Sequence, residues 1–233
     1  MRITSGKFWL GLAVAALCIA PSALADTSIT LTGAGSNPVD GVYVGPYYAT
    51  VNGVVNTPVI CDDFSDEVFV GESWSAVSPS GTIANPTGAL FASQVNSGQE
   101  YNAMAFLAEQ LFALPASDPT YSGDAAKLQY AIWDIFDPTG VSSYLTPIDP
   151  TLLSNAALDA TNALAGVYTS TQFADLSILT PTPGSQPAGD GRPQEFIVKT
   201  PEPGTFAMLG IGLLMLGILA RRKYNLAPSA ISA

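Results

Sequence analysis

The stretch VYVGPYYATVNGVVNTPVICDDF, Val42 to Phe64, decides the fold class. Val42 to Val51 is rich in β-branched and aromatic residues, and Val54 to Phe64 repeats that composition. Between them stands Asn52-Gly53, the dipeptide best suited to the left-handed positions of a two-residue hairpin. Two antiparallel strands are therefore predicted. Upstream, Asp26 to Gly33 (DTSITLTG) alternates apolar and polar residues as a half-buried strand does, and Ala34 to Pro38 is a loop. Downstream, Val68 to Ala76 (VFVGESWSA) reads as another strand after a turn at Ser65-Asp66. Short strands joined by turns predict a sandwich or small barrel.

The period then changes. Beyond Pro86-Thr87-Gly88, Ala89 to Leu114 is helical in character, and Met104, Leu107, Leu111 and Leu114 share one apolar face. A loop over Pro115 to Gly123 leads to Asp124, a candidate N-cap for a helix over Ala125 to Phe136, which Asp137-Pro138 should stop. Pro150 to Gly166 is a third, weaker helical segment. Phe173 to Leu179 returns to strand, Thr180 to Pro193 is a Pro- and Gly-rich loop, and Glu195 to Lys199 is a last strand. No internal repeat is visible. The expected fold class is α+β, an antiparallel β-sandwich or barrel-like body with a helical insertion, plus an N-terminal signal peptide and a C-terminal transmembrane helix.

Those terminal segments carry their own signatures. Arg2 and Lys7, the apolar Phe8 to Ala20 and the small-residue site Ala23-Leu24-Ala25 make residues 1–25 a secretory signal peptide. Cys18 follows Leu17 rather than a small residue, so no lipid anchor is expected there. At the other end, Pro201-Glu202-Pro203 interrupts regular structure, Gly204 to Ala220 is uncharged and apolar, and Arg221, Arg222 and Lys223 close the run. A span of that length is at the lower limit for a transmembrane helix, and the basic cluster places its end in the cytoplasm. This three-part order resembles the PEP-CTERM sorting signal of exported proteins in Gram-negative bacteria that make extracellular polysaccharide. The resemblance implies recognition by exosortase, a membrane processing enzyme, with residence in the inner membrane during sorting. The expected division is thus signal peptide 1–25, exported domain 26–199, sorting signal 200–223 with its helix at 204–220, and a short cytoplasmic tail 224–233.

The exported domain holds 18 acidic residues against three basic ones, Lys127, Arg192 and Lys199. Such a surface repels nucleic acid and anionic lipid. Histidine is absent, which excludes Ser-His-Asp and Cys-His catalysis and histidine metal sites. One cysteine remains after export, Cys61, so no disulfide can form within the domain. A lone exported thiol is buried, paired between chains, or chemically committed.

Two short stretches bear on that choice: VICDDF, Val59 to Phe64, and LQYAIW, Leu128 to Trp133. Together they resemble the thioester domains of bacterial surface adhesins, which carry an apolar-Cys motif on an early strand and a later motif of apolar, Gln, two residues, apolar, Trp. By that resemblance Cys61 is the thiol, Gln129 the acyl donor, and Ile132 and Trp133 the apolar shield. The implied chemistry joins the two side chains, releases ammonia and needs no cofactor. An amine or hydroxyl of a partner, on surface protein or extracellular polysaccharide, would then open the thioester and stay attached. Such a domain acts once and is not an enzyme. On a helix Gln129 and Trp133 stand one turn apart, so an aromatic wall beside the acyl group would exclude water. The plainer alternative is that Cys61 is a small buried hydrophobe and Trp133 is core.

Other clusters have two readings each. Asp62, Asp63, Asp66 and Glu67 could hold calcium, or form a solvated acidic edge without a metal. Any of Asp62, Asp63 and Asp134 could move protons for the thioester. Tyr47, Tyr48 and Trp74 could form a carbohydrate-binding face of a non-covalent matrix component, or pack as core and cross-strand pairs. A hydrolase ranks last, because no nucleophile motif accompanies the acidic pairs.

Overall fold

The computed structural model describes residues 26–35, 38–79, 83–118, 120–169, 171–185, 192–199 and 210–216. Strands β1 (Thr27–Gly33), β2 (Tyr47–Val51), β3 (Val54–Cys61) and β4 (Ser73–Val77) come first. Helices α1 (Ser97–Ala113), α2 (Tyr121–Phe136), α3 (Pro138–Leu145) and α4 (Pro150–Leu164) follow, and β5 (Leu176–Pro181) and β6 (Phe196–Lys199) complete the body. The strands close into a barrel in the order β1-β2-β3-β6-β5-β4, every pair antiparallel. Between sandwich and barrel, the chain is a barrel, with its helices inserted between β4 and β5.

The β2–β3 hairpin turns as its sequence predicts. Asn52 and Gly53 both take positive φ, 50° and 81°, the requirement of a tight turn whose twist matches the strands. A bulge follows: Val51 faces Val54 but Ala49 faces Thr57, and Asn56 takes the left-handed conformation at φ 55°.

Strand alternation then builds two cores. Ile29, Ala49, Val59, Cys61, Trp74 and Phe196 fill the barrel. Ile60 and Ile197, one residue out of phase, face the helices and pack with Tyr101, Leu107, Leu111 and Ile132. Both faces of this sheet segment are therefore covered. The same alternation decides between the two readings of the aromatics in favour of core packing for two of the three: Tyr47 and Trp74 turn inward onto Phe196, with ring centroids 6.1 and 5.7 Å away, while Tyr48 points out and is 44 % exposed.

Several boundaries differ from the sequence reading. β3 ends at Cys61, not Phe64, and β4 begins at Ser73, not Val68. Residues 89–96 form successive three-residue turns, with Ala92 N–H donating to Ala89 O and Gln94 N–H to Phe91 O, so α1 starts only at Ser97. Asp124 does not cap α2. The helix begins a turn earlier, after Asp118 Oδ1 has accepted the Thr120 N–H at 2.9 Å. Asp137-Pro138 does end α2, but it also starts α3. Asp137 Oδ1 accepts Gly140 N–H at 2.8 Å and Pro138 occupies the first turn. Asp149 and Pro150 repeat the device at α4, with Asp149 Oδ1 accepting from Thr151 N and Leu152 N.

The expected transmembrane helix, 204–220, is described only over 210–216, which is helical and exposed. Among the described residues no helix is long and apolar enough to cross a membrane. The signal peptide, Pro201, Glu202, Pro203, Arg221, Arg222 and residues 224–233 lie outside the described residues.

Candidate functional site

Cys61 is the last residue of β3 and pairs with Phe196, the first of β6. Its side chain turns to the barrel interior and is 1 % exposed. Asp63, just past the strand, grips the sulfur by its backbone. Cys61 Sγ donates to Asp63 O at 3.0 Å and accepts from Asp63 N–H at 3.3 Å. That double contact breaks the strand pattern and explains why β3 stops at Cys61.

Gln129 reaches the same point from α2, 68 residues away in sequence. Its side chain is 0 % exposed and held at both ends. Nε2 donates to Cys61 O at 2.6 Å, and Oε1 accepts from Gly45 N–H at 3.2 Å. Backbone partners fix which end of the amide is oxygen, since Cys61 O can only accept and Gly45 N–H only donate. Gly45 is required for this approach: a Cβ there would stand 2.6 Å from Gln129 Oε1. The carboxamide is therefore polarised by a donor at its oxygen and oriented by an acceptor at its nitrogen.

The aromatic surroundings are partly those expected. Trp133 is buried, and its ring stands 5.2 Å from Phe64 and 5.1 Å from Tyr130. Phe64 also meets Tyr144 of α3 at 5.8 Å. The Trp133 indole N–H has no oxygen or nitrogen acceptor and lies on the sulfur side, where it favours the thiolate. Ile132 is fully buried in the layer between barrel and helices, apart from the sulfur's own cluster. It supports the helix, while Phe64 and Trp133 are the aromatic wall. A cleft of about 520 Å³ opens beside this wall, lined by Tyr43, Asp63, Phe64, Trp133, Tyr144 and Gln194 among others.

Burial pushes the Cys61 thiol well up, with Asp63 and then Asp62 adding to the effect. The thiol is therefore neutral at pH 7. Asp63 is itself raised to about 6, by burial first and then by Asp66, while the Asp66 and Ser65 amides oppose the rise. Asp63 Oδ1 accepts from Ser65 N at 3.0 Å and Asp66 N at 3.2 Å, leaving Oδ2 buried without a hydrogen-bond partner.

The rest of the acidic cluster disperses. Asp62 points to the other side, where burial and Glu195 raise it strongly. Glu195 accepts from Tyr101 Oη at 2.5 Å, from Leu90 N at 2.8 Å and from Thr180 Oγ1. Asp66 pairs with Arg192 at 3.4 Å. Among the described residues no group of three or more His, Cys, Asp or Glu is placed to hold a metal ion.

At the other end of the chain, residues 199–223 match one family description. It is the PEP-CTERM protein-sorting motif. The PEP-CTERM motif implies recognition by exosortase, export, and transient membrane anchoring before processing. No curated protein and no solved structure matches the chain. The thioester-domain resemblance thus draws no support from comparison, and what bears on it is the geometry around Cys61.

The sequence pointed to Cys61, Gln129 and Trp133, and the structure brings these three together. It missed Gly45 and the role of Asp63 in holding the sulfur. The signal for Gly45 was present: Gly45-Pro46 interrupts a β-rich run, and β2 indeed begins only after it.

Proposed function

We propose that this exosortase-sorted surface protein stores an internal thioester between Cys61 and Gln129 and uses it to attach itself covalently to a partner. One observation carries the reading: the Gln129 carboxamide is buried against Cys61, clamped between Gly45 N–H and Cys61 O. Sulfur attack on the carbonyl carbon would put negative charge on Oε1, which already faces the Gly45 donor. A preorganised backbone N–H at a developing oxyanion contributes about 10²–10³ in rate. Ammonia leaves from the nitrogen held by Cys61 O. The aromatic wall of Phe64 and Trp133 keeps water from the product.

A purely structural tie, α2 fastened to the barrel by Gln129, is the competing reading, and the elevated thiol pKa favours it. Intact-mass measurement of the exported protein, from which residues 1–25 and with them Cys18 have been removed, separates the two. The thioester form is lighter than its sequence by one ammonia, carries no titratable thiol after unfolding, and gains methylamine on treatment with that amine. Cys61→Ala restores the full mass. Full mass in the unsubstituted protein, with one thiol titratable on unfolding, would exclude the thioester.

A further inference from the structure

We infer that Asp63 is the general base that takes the thiol proton when the Cys61–Gln129 bond forms. This rests on the thioester reading and assigns the group that the reaction still lacks. A thiol held neutral by burial is a poor nucleophile and must lose its proton as it attacks. Three carboxyls are near in sequence or space. Asp62 alternates to the opposite face and is turned to Glu195. Asp134, on α2, is not among the charges that act on the thiol. Asp62 is also buried and unpartnered, but of the three only Asp63 touches the sulfur. Its backbone holds Sγ at 3.0 and 3.3 Å, and its carboxyl is the charge that acts most on the thiol. The residue is 2 % exposed and lines the cleft, Oδ1 is committed to the Ser65 and Asp66 amides, and Oδ2 is buried and unpartnered.

The step balances within the chain. The Cys61 S–H bond breaks and its proton passes to Asp63. The sulfur pair forms the bond to Gln129 Cδ, and charge collects on Oε1 against Gly45 N–H. Collapse breaks the Cδ–Nε2 bond, and the proton on Asp63 goes to the departing nitrogen, which leaves as ammonia. Asp63 ends as the carboxylate it began as, and no oxidant or co-reactant is needed. Charged and titratable groups facing Asp63 are Cys61, Asp62, Asp66 and Glu195, with Asp66 paired to Arg192.

The reverse reaction supplies the assay. Ammonia converts the thioester of the exported protein back to Gln and free thiol, and its removal by gel filtration starts reclosure, followed by loss of titratable thiol and of one ammonia in mass. Asp63→Asn keeps an oxygen for the Ser65 and Asp66 amides, so the turn is retained. Its reclosure is expected to be at least 100-fold slower, within the usual range for a lost general base, with Asp63→Glu recovering part of the rate. The unsubstituted protein's reclosure rate should rise with pH through about 6, as Asp63 ionises, and then level off. Reclosure of Asp63→Asn at the unsubstituted rate would overturn the assignment. So would a rate in the unsubstituted protein that keeps climbing into the thiol's own range, a result independent of whether the variant folds. Failure of the unsubstituted protein to close at all would instead remove the thioester reading itself.

Discussion

At the scale of single residues, the site depends on a side chain that is missing. Gly45 does not need its conformational freedom, since its φ is not in the left-handed region; it needs the space where a Cβ would meet Gln129 Oε1. Gly45→Ala should therefore swing the amide off its N–H donor. We expect thioester closure to slow by about 10²–10³, with a stability loss of about 1–2 kcal/mol from the disturbed buried hydrogen bond. Intact mass against time and urea unfolding read the two effects. Cys61, Gln129 and Trp133 were legible in the sequence because each is a chemically distinctive residue in a short motif. Gly45 and the grip of Asp63 on the sulfur were not, because both contacts are made by backbone groups. A backbone N–H or C=O leaves no trace in residue type, and only the fold brings Gly45 N–H to a glutamine 84 positions away.

At the scale of elements, local chemistry was readable where one rule acted alone. The Asn52-Gly53 turn is such a place. With Gly53 at φ 81° and no atom within 4 Å of a built Cβ, Gly53→Ala carries only the conformational cost. It should destabilise the domain by about 1 kcal/mol in urea unfolding, while the thioester mass stays unchanged because the turn is remote from the site. Asp137-Pro138 shows where the rules overlap. The same two residues that stop one helix are a cap and first-turn proline for the next, and the sequence alone did not reveal α3. Asp124 failed as a cap for a related reason: Asp118 and Thr120 offer an equally good start one turn earlier.

At the scale of the whole molecule, the change from strand period to helix period showed the helical insertion, but barrel closure was not visible. It depends on β1 pairing with β4 and on β3 pairing with β6, contacts between distant segments with no local signature. The same long-range closure buries two carboxyls together. Asp62 on the β3 exit faces Glu195 at the β6 entry, joined there by Tyr101 of α1 and Thr180 of β5. Asp62 is raised above its unfolded value, and Asp63 likewise to about 6. The folded state therefore binds protons that the unfolded chain has released. Stability is full below the ordinary carboxylate range and falls as pH rises through the elevated values. Urea midpoints should drop between pH 4 and pH 8, and Asp62→Asn should flatten that slope and be the more stable protein at pH 8. A midpoint that rises over this range, or an unchanged slope in the variant, would show that no proton is held there.

The antiparallel pairing of β3 with β6 also has a mechanical side. Cys61 ends one strand and Lys199 ends the other, and only Val59–Val198, Ile60–Ile197 and Cys61–Phe196 pair between them. A captured partner would stay on the acyl carbon of Gln129 on α2, because attack frees the Cys61 thiol, while the sorted tail continues directly from β6. Ladder hydrogen bonds lie across the strands, so tension on the tail, running along β6, shears those bonds together instead of peeling them one by one. Toward its tail the barrel is a lap joint.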